Sequence, residues 1–473
     1  MTDPVLPDSV LPDADYLVLA SRLIPDRDGG FTISVLRRAQ DMAAAGARVT
    51  LLTVDPGERA DHDRDRAEWV RRGLLTDPDD LRNLFDDARA DAGWLRAAAL
   101  PLPAPAPDED AHGTVTGARV IADAAGRTVL ELPVISGDPA WHLSSAPVTV
   151  WSEDGAAPVG WLPGFGGLYR AWVNARAAAS ARPVAVLCEA RQVGELLVAD
   201  APPLLDPAIR VLHTTHACHL QAPYTWDAPM DAAWSRWLDI ADRFDGVLWL
   251  TPSQQRDVER RVGDGIRSFV VPHPAPSGLA NDPVAGRIVM LNTLSARKRV
   301  DHATRALATV RASVPHAELH VYGDGPERAA LQSLADELGV ADAVVLHGHT
   351  ADPEAAWATA DLFALTSTNE GQPLVVLEAL GHGVPVVSYD MPYGPRDTLA
   401  RGGGMLVPDG DVDALAGALT ALLTGPGVRA WLSDAARAAA AQMDAASSMR
   451  ALAVAARAAL DAPASRPGRP PHR

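Results

Sequence analysis

Two doubly wound α/β domains facing a cleft, with a β-rich segment inserted into the first, are the architecture the sequence predicts. Three observations carry it. Short apolar runs of strand length alternate with stretches of helical period over residues 16–54, 184–262 and 286–415. Residues 57–180 break that rhythm with charged helical sequence and then short β-prone segments separated by turn residues. The chain has 473 residues, enough for two domains with separate cores, and Pro272, Pro274 and Pro276 mark a stiff crossover between them.

Taken in order, residues 1–14 are acidic and Pro-rich and are expected to be disordered, and the first domain is expected over 15–280. A strand at Tyr16–Ala20, a Gly-containing loop, an amphipathic helix over about 32–45 and a strand over 48–54 make a βαβ beginning. Gly29 and Gly30 fall between the strand's carboxyl end and the helix, where ligands enter open α/β sheets, and glycine permits close approach of backbone to a phosphate or sugar. Within the inserted segment, 61–98 reads as charged helix. Ala124–Ala125–Gly126 and Glu153–Asp154–Gly155 then lie between β-prone runs as hairpin turns, which predicts an antiparallel sheet. The pairs Asp77/Asp79 and Asp108/Asp110 are what chance gives in so Asp-rich a chain, and are not read as a metal site.

The α/β rhythm resumes with strands at 184–187, 210–214 and 246–251. His213, His216 and His219 cluster at the carboxyl end of the second, without the carboxylate or cysteine spacing of a zinc site. Cys188 and Cys218, the two cysteines of the chain, read as reduced thiols in or beside buried segments. The second domain, expected over 281–440, opens with strand, loop and helix, and the loop holds Lys298, the single lysine of an Arg-rich chain. Gly323 and His347 follow its second and third strands.

Residues 366–383, TSTNEGQPLVVLEALGHG, read as a strand end, a tight loop and a helix from about Pro373 to Leu380. Proline suits a first helical turn because its missing N–H would be an orphan there. The N–H groups of Leu374 and Val375 have no partner inside such a helix and carry the positive end of its dipole, which makes an anion site. Glu370 stands in the loop before it and Glu378 a little over two turns into it. A helical run over 412–460 closes the chain's α/β part; 441–460 is expected to return to the first domain and 461–473 to be a disordered tail.

A net charge of −18 and a pI near 5.1 argue against a nucleic-acid binder and leave at most peripheral contact with an anionic membrane. No apolar run reaches the roughly 18 residues of a membrane span, and the start of the chain is acidic rather than basic then apolar, so a cytoplasmic location is expected.

Glu370 and Glu378, with GQPLVVL between them, resemble the E-x7-E signature of retaining glycosyltransferases of family 4, which have the GT-B fold. Tyr393–Gly394–Pro395 and the β-rich insertion resemble in particular the subgroup of wall teichoic acid poly(ribitol-phosphate) α-N-acetylglucosaminyltransferases and Ser-rich-protein O-GlcNAc transferases. The resemblance implies transfer, with retention, of a hexose or N-acetylhexosamine from a nucleotide-sugar, a UDP-sugar, to a hydroxyl of a cell-surface glycopolymer, protein or lipid-linked acceptor. No metal and no cofactor are implied. It places Glu370 and His216, or as second choice His213, on the donor sugar, and Lys298 on the diphosphate. Glu378 is placed at the ribose, and Gly371, Gln372, Pro373, Leu374 and Val375 around the phosphates. Gly29, Gly30 and Gly323 belong to loops at the donor cleft, and His347 lies beside the base. The family's Arg-Leu-x-x-x-Lys loop is matched at Leu294 and Lys298, but Thr293 stands where the arginine is expected, leaving Arg297 or Arg299 as the second cation. The insertion implies acceptor binding or assembly, including a homo-oligomer. Two other readings share this scaffold: a weakened homologue that serves as chaperone or partner of another glycosyltransferase, and a GT-B epimerase or phosphorylase.

Overall fold

The computed structural model describes residues 10–27, 29–105, 112–350 and 352–463. The first half runs through β1 (Asp15–Ala20), α1 (Gly30–Ala44), β2 (Arg48–Thr53), α2 (Arg59–Arg71), β3 (Leu81–Asn83), α3 (Leu84–Ala90) and α4 (Gly93–Ala98). Next come β4 (Thr114–Ala122), β5 (Thr128–Ser136), β6 (Val148–Trp151), β7 (Pro158–Leu162) and α5 (Gly164–Ala178). It ends with β8 (Val184–Cys188), α6 (Arg191–Leu197), β9 (Arg210–Thr215), α7 (Ala232–Leu238), β10 (Gly246–Trp249), α8 (Pro252–Val262) and β11 (Ser268–Val270).

Seven of these strands form one parallel sheet in the order β11-β10-β9-β8-β1-β2-β3. Runs such as VAVLC in β8 are buried along their whole length, as strands covered on both faces must be. The remaining four, β4-β5-β6-β7, form the antiparallel sheet that the hairpin signals predict, turning at Gly126 and Gly155, whose φ of 77° and 69° glycine adopts without strain. The antiparallel region is narrower than 57–180. Residues 57–98 supply α2, α3 and α4 and the three-residue β3, which pairs with β2 in parallel and so belongs to the first sheet. Asp77 accepts from the Asp79 N–H as the cap of a 3-10 turn leading into β3, whereas Asp108/Asp110 lie outside the described residues.

The second half runs through β12 (Arg287–Leu291), α9 (Val300–Val310), β13 (Glu318–Tyr322), α10 (Arg328–Glu337), β14 (Val344–Gly348), α11 (Pro353–Ala358), β15 (Leu362–Leu365) and α12 (Leu374–Gly381). β16 (Val386–Tyr389), α13 (Pro395–Leu399), β17 (Gly404–Val407), α14 (Val412–Thr424), α15 (Pro426–Gln442) and α16 (Ala445–Leu460) complete it. Its sheet is parallel, six-stranded and ordered β14-β13-β12-β15-β16-β17.

α16 leaves the second half and packs under the first sheet. Met449, Leu452, Ala455, Ala456 and Ala459 share one core with Leu36, Met42 and Leu248, and Arg210 and Arg267 donate to the carbonyls of Ala459 and Ala458. Residues 10–14 depart from the expected disorder: Leu11 and Ala14 are each 1% exposed in that same core, because two apolar residues three apart outweigh the surrounding Pro and Asp. At the other end Arg210 also donates to the carbonyl of Ala462; residues 1–9 and 464–473 lie outside the description. Among the described residues no helix is long and apolar enough to cross a membrane.

Candidate functional site in the cleft between the two sheets

The carboxyl ends of β1, β9, β12 and β15 feed loops into one cavity of about 560 Å³ between the halves. This is where open α/β sheets bind ligands, because diverging loops leave a crevice there and helix N-termini point into it. Of the residues predicted from sequence, Gly29, Gly30, His216, Thr293, Arg297, Lys298, Glu370, Gly371, Gln372, Pro373, Leu374 and Val375 all line it.

The loop after β15 carries Glu370 and is stitched to the Lys298 loop. Thr368 N–H donates to the Arg297 carbonyl at 2.9 Å, Arg297 returns a bond to the Asn369 carbonyl at 2.7 Å, and the Thr366 hydroxyl donates to the Lys298 carbonyl at 2.8 Å. Lys298 Nζ then lies 2.5 Å from Glu370 Oε1, with an Arg297 guanidinium nitrogen 3.3 Å from the same oxygen. Burial alone would raise the Glu370 pKa, but Lys298 and Arg297 hold it below the ordinary value, so the carboxylate is ionised. Pro373, extended at φ −71°, caps α12, and the first-turn N–H groups of Leu374 and Val375 follow it on the cavity wall. Gln372 Oε1 accepts from the His273 N–H at 2.7 Å, tying this wall to the linker between the halves.

The opposite wall comes from the first sheet. Gly29 caps α1 at φ 51°, and a Cβ there would meet nothing, so the backbone is open to the cleft. Gly30 faces Leu374 Cδ1 at 3.3 Å from where its Cβ would be. His216, just past β9, sits edge-on to Phe31 at 5.0 Å and stacks on His273 at 5.5 Å. Its Nε2 lies 2.6 Å from Glu189 Oε2. Glu189 is completely buried; burial would raise its pKa, but the Arg38 guanidinium 2.9 Å away and His216 hold it well below the carboxylate range. With Glu189 ionised, His216 Nε2 carries the proton of this bond. Arg38 also donates to Thr214 at 2.8 Å.

Five predicted residues stand elsewhere, among them Arg299, whose guanidinium is bonded to Asp409 at 2.7 Å off the lining. His213 is 1% exposed inside β9, against Trp237 and Phe244 at 5.0 and 4.9 Å, and burial pushes its pKa down to about 3. It is a neutral core histidine. His219 turns away to stack on Tyr393, so the three histidines diverge. Among the described residues no group of three or more His, Cys, Asp and Glu side chains is arranged to hold a metal ion. Gly323 lies outside the cavity lining: at φ 137° it lets β13 pass the Asn292 carbonyl, which a Cβ would overlap. His347 is stacked on Tyr322 at 4.2 Å and bonded to His320 at 3.0 Å, also off the lining. Glu378 is off the lining, where Trp357 Nε1 donates to it at 3.3 Å and Arg37 of α1 lies 3.7 Å away; burial raises its pKa, with Arg37 opposing.

Sequence reasoning missed Glu189, Arg38 and His273, which come from three distant segments, and Arg27 and Asn292 on the cavity wall. Asn292 Oδ1 is buried without a hydrogen-bond partner. The available signal was Glu189 itself, a carboxylate placed directly after the fully apolar β8.

Two doubly wound sheets with a cleft between their carboxyl ends define the GT-B fold. Among solved structures, TarM superposes with a TM-score of 0.73 over 94% of this chain and 98% of its own, at 15% identity. The pneumococcal O-GlcNAc transferase GtfA, in complex with UDP and GlcNAc, gives 0.68 over 95% of this chain and 100% of its own, at 14% identity. Residues 281–439 match the family described as glycosyl transferases group 1. That stretch contains Lys298, Glu370 and Glu378.

Sequence relatives match over shorter stretches. An exopolysaccharide phosphotransferase of Streptomyces coelicolor is 36% identical over 39% of this chain and 20% of its own length. The poly(glycerol-phosphate) alpha-glucosyltransferase of Bacillus subtilis is 29% identical over 38% and 28%, and the poly(ribitol-phosphate) alpha-N-acetylglucosaminyltransferase of Staphylococcus aureus is 25% identical over 42% and 41%. The chain thus spans less than half the length of each of these relatives.

Proposed function

We propose that this protein is a retaining glycosyltransferase of the family 4 type. It takes a hexose or N-acetylhexosamine from a UDP-sugar and delivers it to a hydroxyl of a cell-surface glycopolymer, protein or lipid-linked acceptor, working in the cytoplasm. The observation that carries this reading is the convergence, in one cavity, of the chain's single lysine, the N-terminal turn of α12 and an ionised Glu370 between them. A diphosphate needs cations and N–H donors; a sugar needs a carboxylate that accepts from its hydroxyls.

In this mechanism the leaving diphosphate lies along Lys298 and the Leu374 and Val375 N–H groups, which stabilise the charge that develops as the glycosidic bond breaks. Glu370 and His216 orient the sugar, and the Glu189 carboxylate fixes the His216 ring and its proton. The acceptor hydroxyl attacks on the face the nucleotide leaves and gives its proton to the departing phosphate. Thr293 contributes a hydroxyl where an arginine would stand, and Arg27, facing the cleft from the other half, joins Arg297 in supplying positive charge. UDP as the nucleotide is supported by the UDP complexes of TarM and GtfA. Val120, Val134 and Val159, exposed on the antiparallel sheet, suit a contact with a second copy or with an acceptor.

The test is calorimetric binding of UDP, UDP-glucose, UDP-N-acetylglucosamine and GDP-mannose to the wild type and to Lys298→Ala. Selective binding of UDP and one UDP-sugar is expected, weakened about 10- to 100-fold without the charged donor. A folded wild type that binds none of the four would refute the reading.

A further inference from the structure

Tyr393–Gly394–Pro395, singled out in the sequence, does not line the cavity, yet it holds the loop that does. Between β15 and α12 the chain follows neither strand nor helix, so Glu370 depends on its neighbours for position. On one side these are the Lys298 loop contacts. On the other, Glu370 exchanges two backbone hydrogen bonds with the 392–393 segment: its N–H donates to the Pro392 carbonyl at 3.0 Å, and the Tyr393 N–H donates to the Glu370 carbonyl at 2.9 Å. Gly394 lies so close beneath Pro373 and Gln372 that a side chain would overlap the Pro373 ring.

The Tyr393 side chain is anchored in the other half of the molecule. It is 2% exposed, packs with Leu220 and Ala228, and its ring lies parallel to His219 at 5.8 Å. Its hydroxyl donates to Asp257 Oδ2 of α8 at 3.0 Å, and burial keeps the phenol protonated. Two residues after Pro395, Asp397 takes Ser253 and Arg256 of the same α8.

We infer that Tyr393 and Asp257 are positioning residues that couple the first half of the molecule to Glu370, so that the carboxylate meets the donor sugar only when α8 is seated against the 390–397 segment. This inference rests on the donor site proposed above. The diphosphate groups keep supports of their own, the Lys298 loop through Thr366 and Thr368 and α12 through Val376, Leu377 and Leu380 in the second core, so loosening this anchor affects the sugar more than the diphosphate.

The experiment is Tyr393→Phe, Asp257→Asn and the double variant, each checked by thermal melt and assayed for UDP affinity, kcat and KM with the UDP-sugar the wild type uses, and hydrogen exchange over 367–393. Each single variant is expected to lower kcat about 10- to 100-fold, as a small misplacement of a positioning group does, with UDP affinity within about twofold. The double variant is expected to be no worse than the worse single one, and exchange is expected to quicken at 367–373 but not around Lys298. Wild-type kcat in both single variants, an equal loss of UDP affinity, or additive losses would overturn the inference. If one single variant fails to fold, the other decides. A wild type that neither binds UDP nor turns over would refute the donor site itself, and unchanged exchange in the variants would separately refute the coupling.

Discussion

His216 and Glu189 are bonded at 2.6 Å between Nε2 and Oε2, and Glu189 is in turn held by Arg38 at 2.9 Å, all three drawn from different strand-helix units. An ion pair this deeply buried is costly to break from one side, because the surviving charge is left without water or partner. Replacing Arg38 by Met, or Glu189 by Gln, is expected to lower unfolding free energy at pH 7 by about 3–5 kcal/mol in urea titrations. Glu189→Gln is expected to lower turnover as well, since His216 loses the charge that fixes its proton. The Glu189 pKa is depressed in the fold, so its stabilising contribution is full above about pH 4.3 and shrinks as pH falls towards the folded value. The gap between wild type and Glu189→Gln should narrow in acid accordingly.

Glu370→Gln keeps the shape and the loop's backbone bonds while removing the charge that faces Lys298. Turnover is expected to fall about 10²- to 10³-fold, as when one preorganised polar group at a transition state is lost, with UDP affinity nearly unchanged. Lys298→Ala should lose both turnover and UDP affinity. Steady-state rates near wild type in Glu370→Gln would remove Glu370 from the site.

Gly371 packs against the backbone of the residue whose side chain faces the cavity: a Cβ there would overlap the His216 carbonyl oxygen and lie 2.7 Å from its carbon. Neither side is the loose end of a side chain, so the two walls must separate. Gly371→Ala is expected to cost at least tenfold in kcat/KM, a displacement of order 1 Å being enough. Crystallography of the variant would show the Glu370 loop displaced from His216.

His62 lies 3.2 Å from Asp55 and 3.0 Å from Asp86. Burial alone would lower its pKa, but the two carboxylates raise it to about 9. A raised histidine stabilises the fold fully below its unfolded pKa of about 6.5, and the contribution is lost as pH rises through the folded value. Between pH 6.5 and 9 the wild type should therefore lose about 3 kcal/mol more than His62→Gln, read from urea unfolding at each pH.

The parts of the site that were legible are those written locally. Lys298, Glu370 and the α12 turn sit in two short loops whose residue types announce anion chemistry, and the alternation of apolar strands and amphipathic helices announced both parallel sheets. Glu189, Arg38 and His273 were not legible, since each acquires its partner only when β8, α1 and the linker are brought together. His213 and His216 could not be separated by spacing, because the end of β9 decides which of them is core and which is cleft. β3 was hidden for a different reason: three residues, LRN, are too few for a period to show.

The placement of α16 bears on how this molecule is made. Synthesis of the first sheet is finished once β11 has emerged, but the face that Leu452, Ala455, Ala456 and Ala459 cover stays bare until the whole second sheet has been translated. Domains usually fold in order of synthesis, the N-terminal one first. Here the first half gains its last apolar layer only after the second half, whose own core contains no residue of α16, has been synthesised.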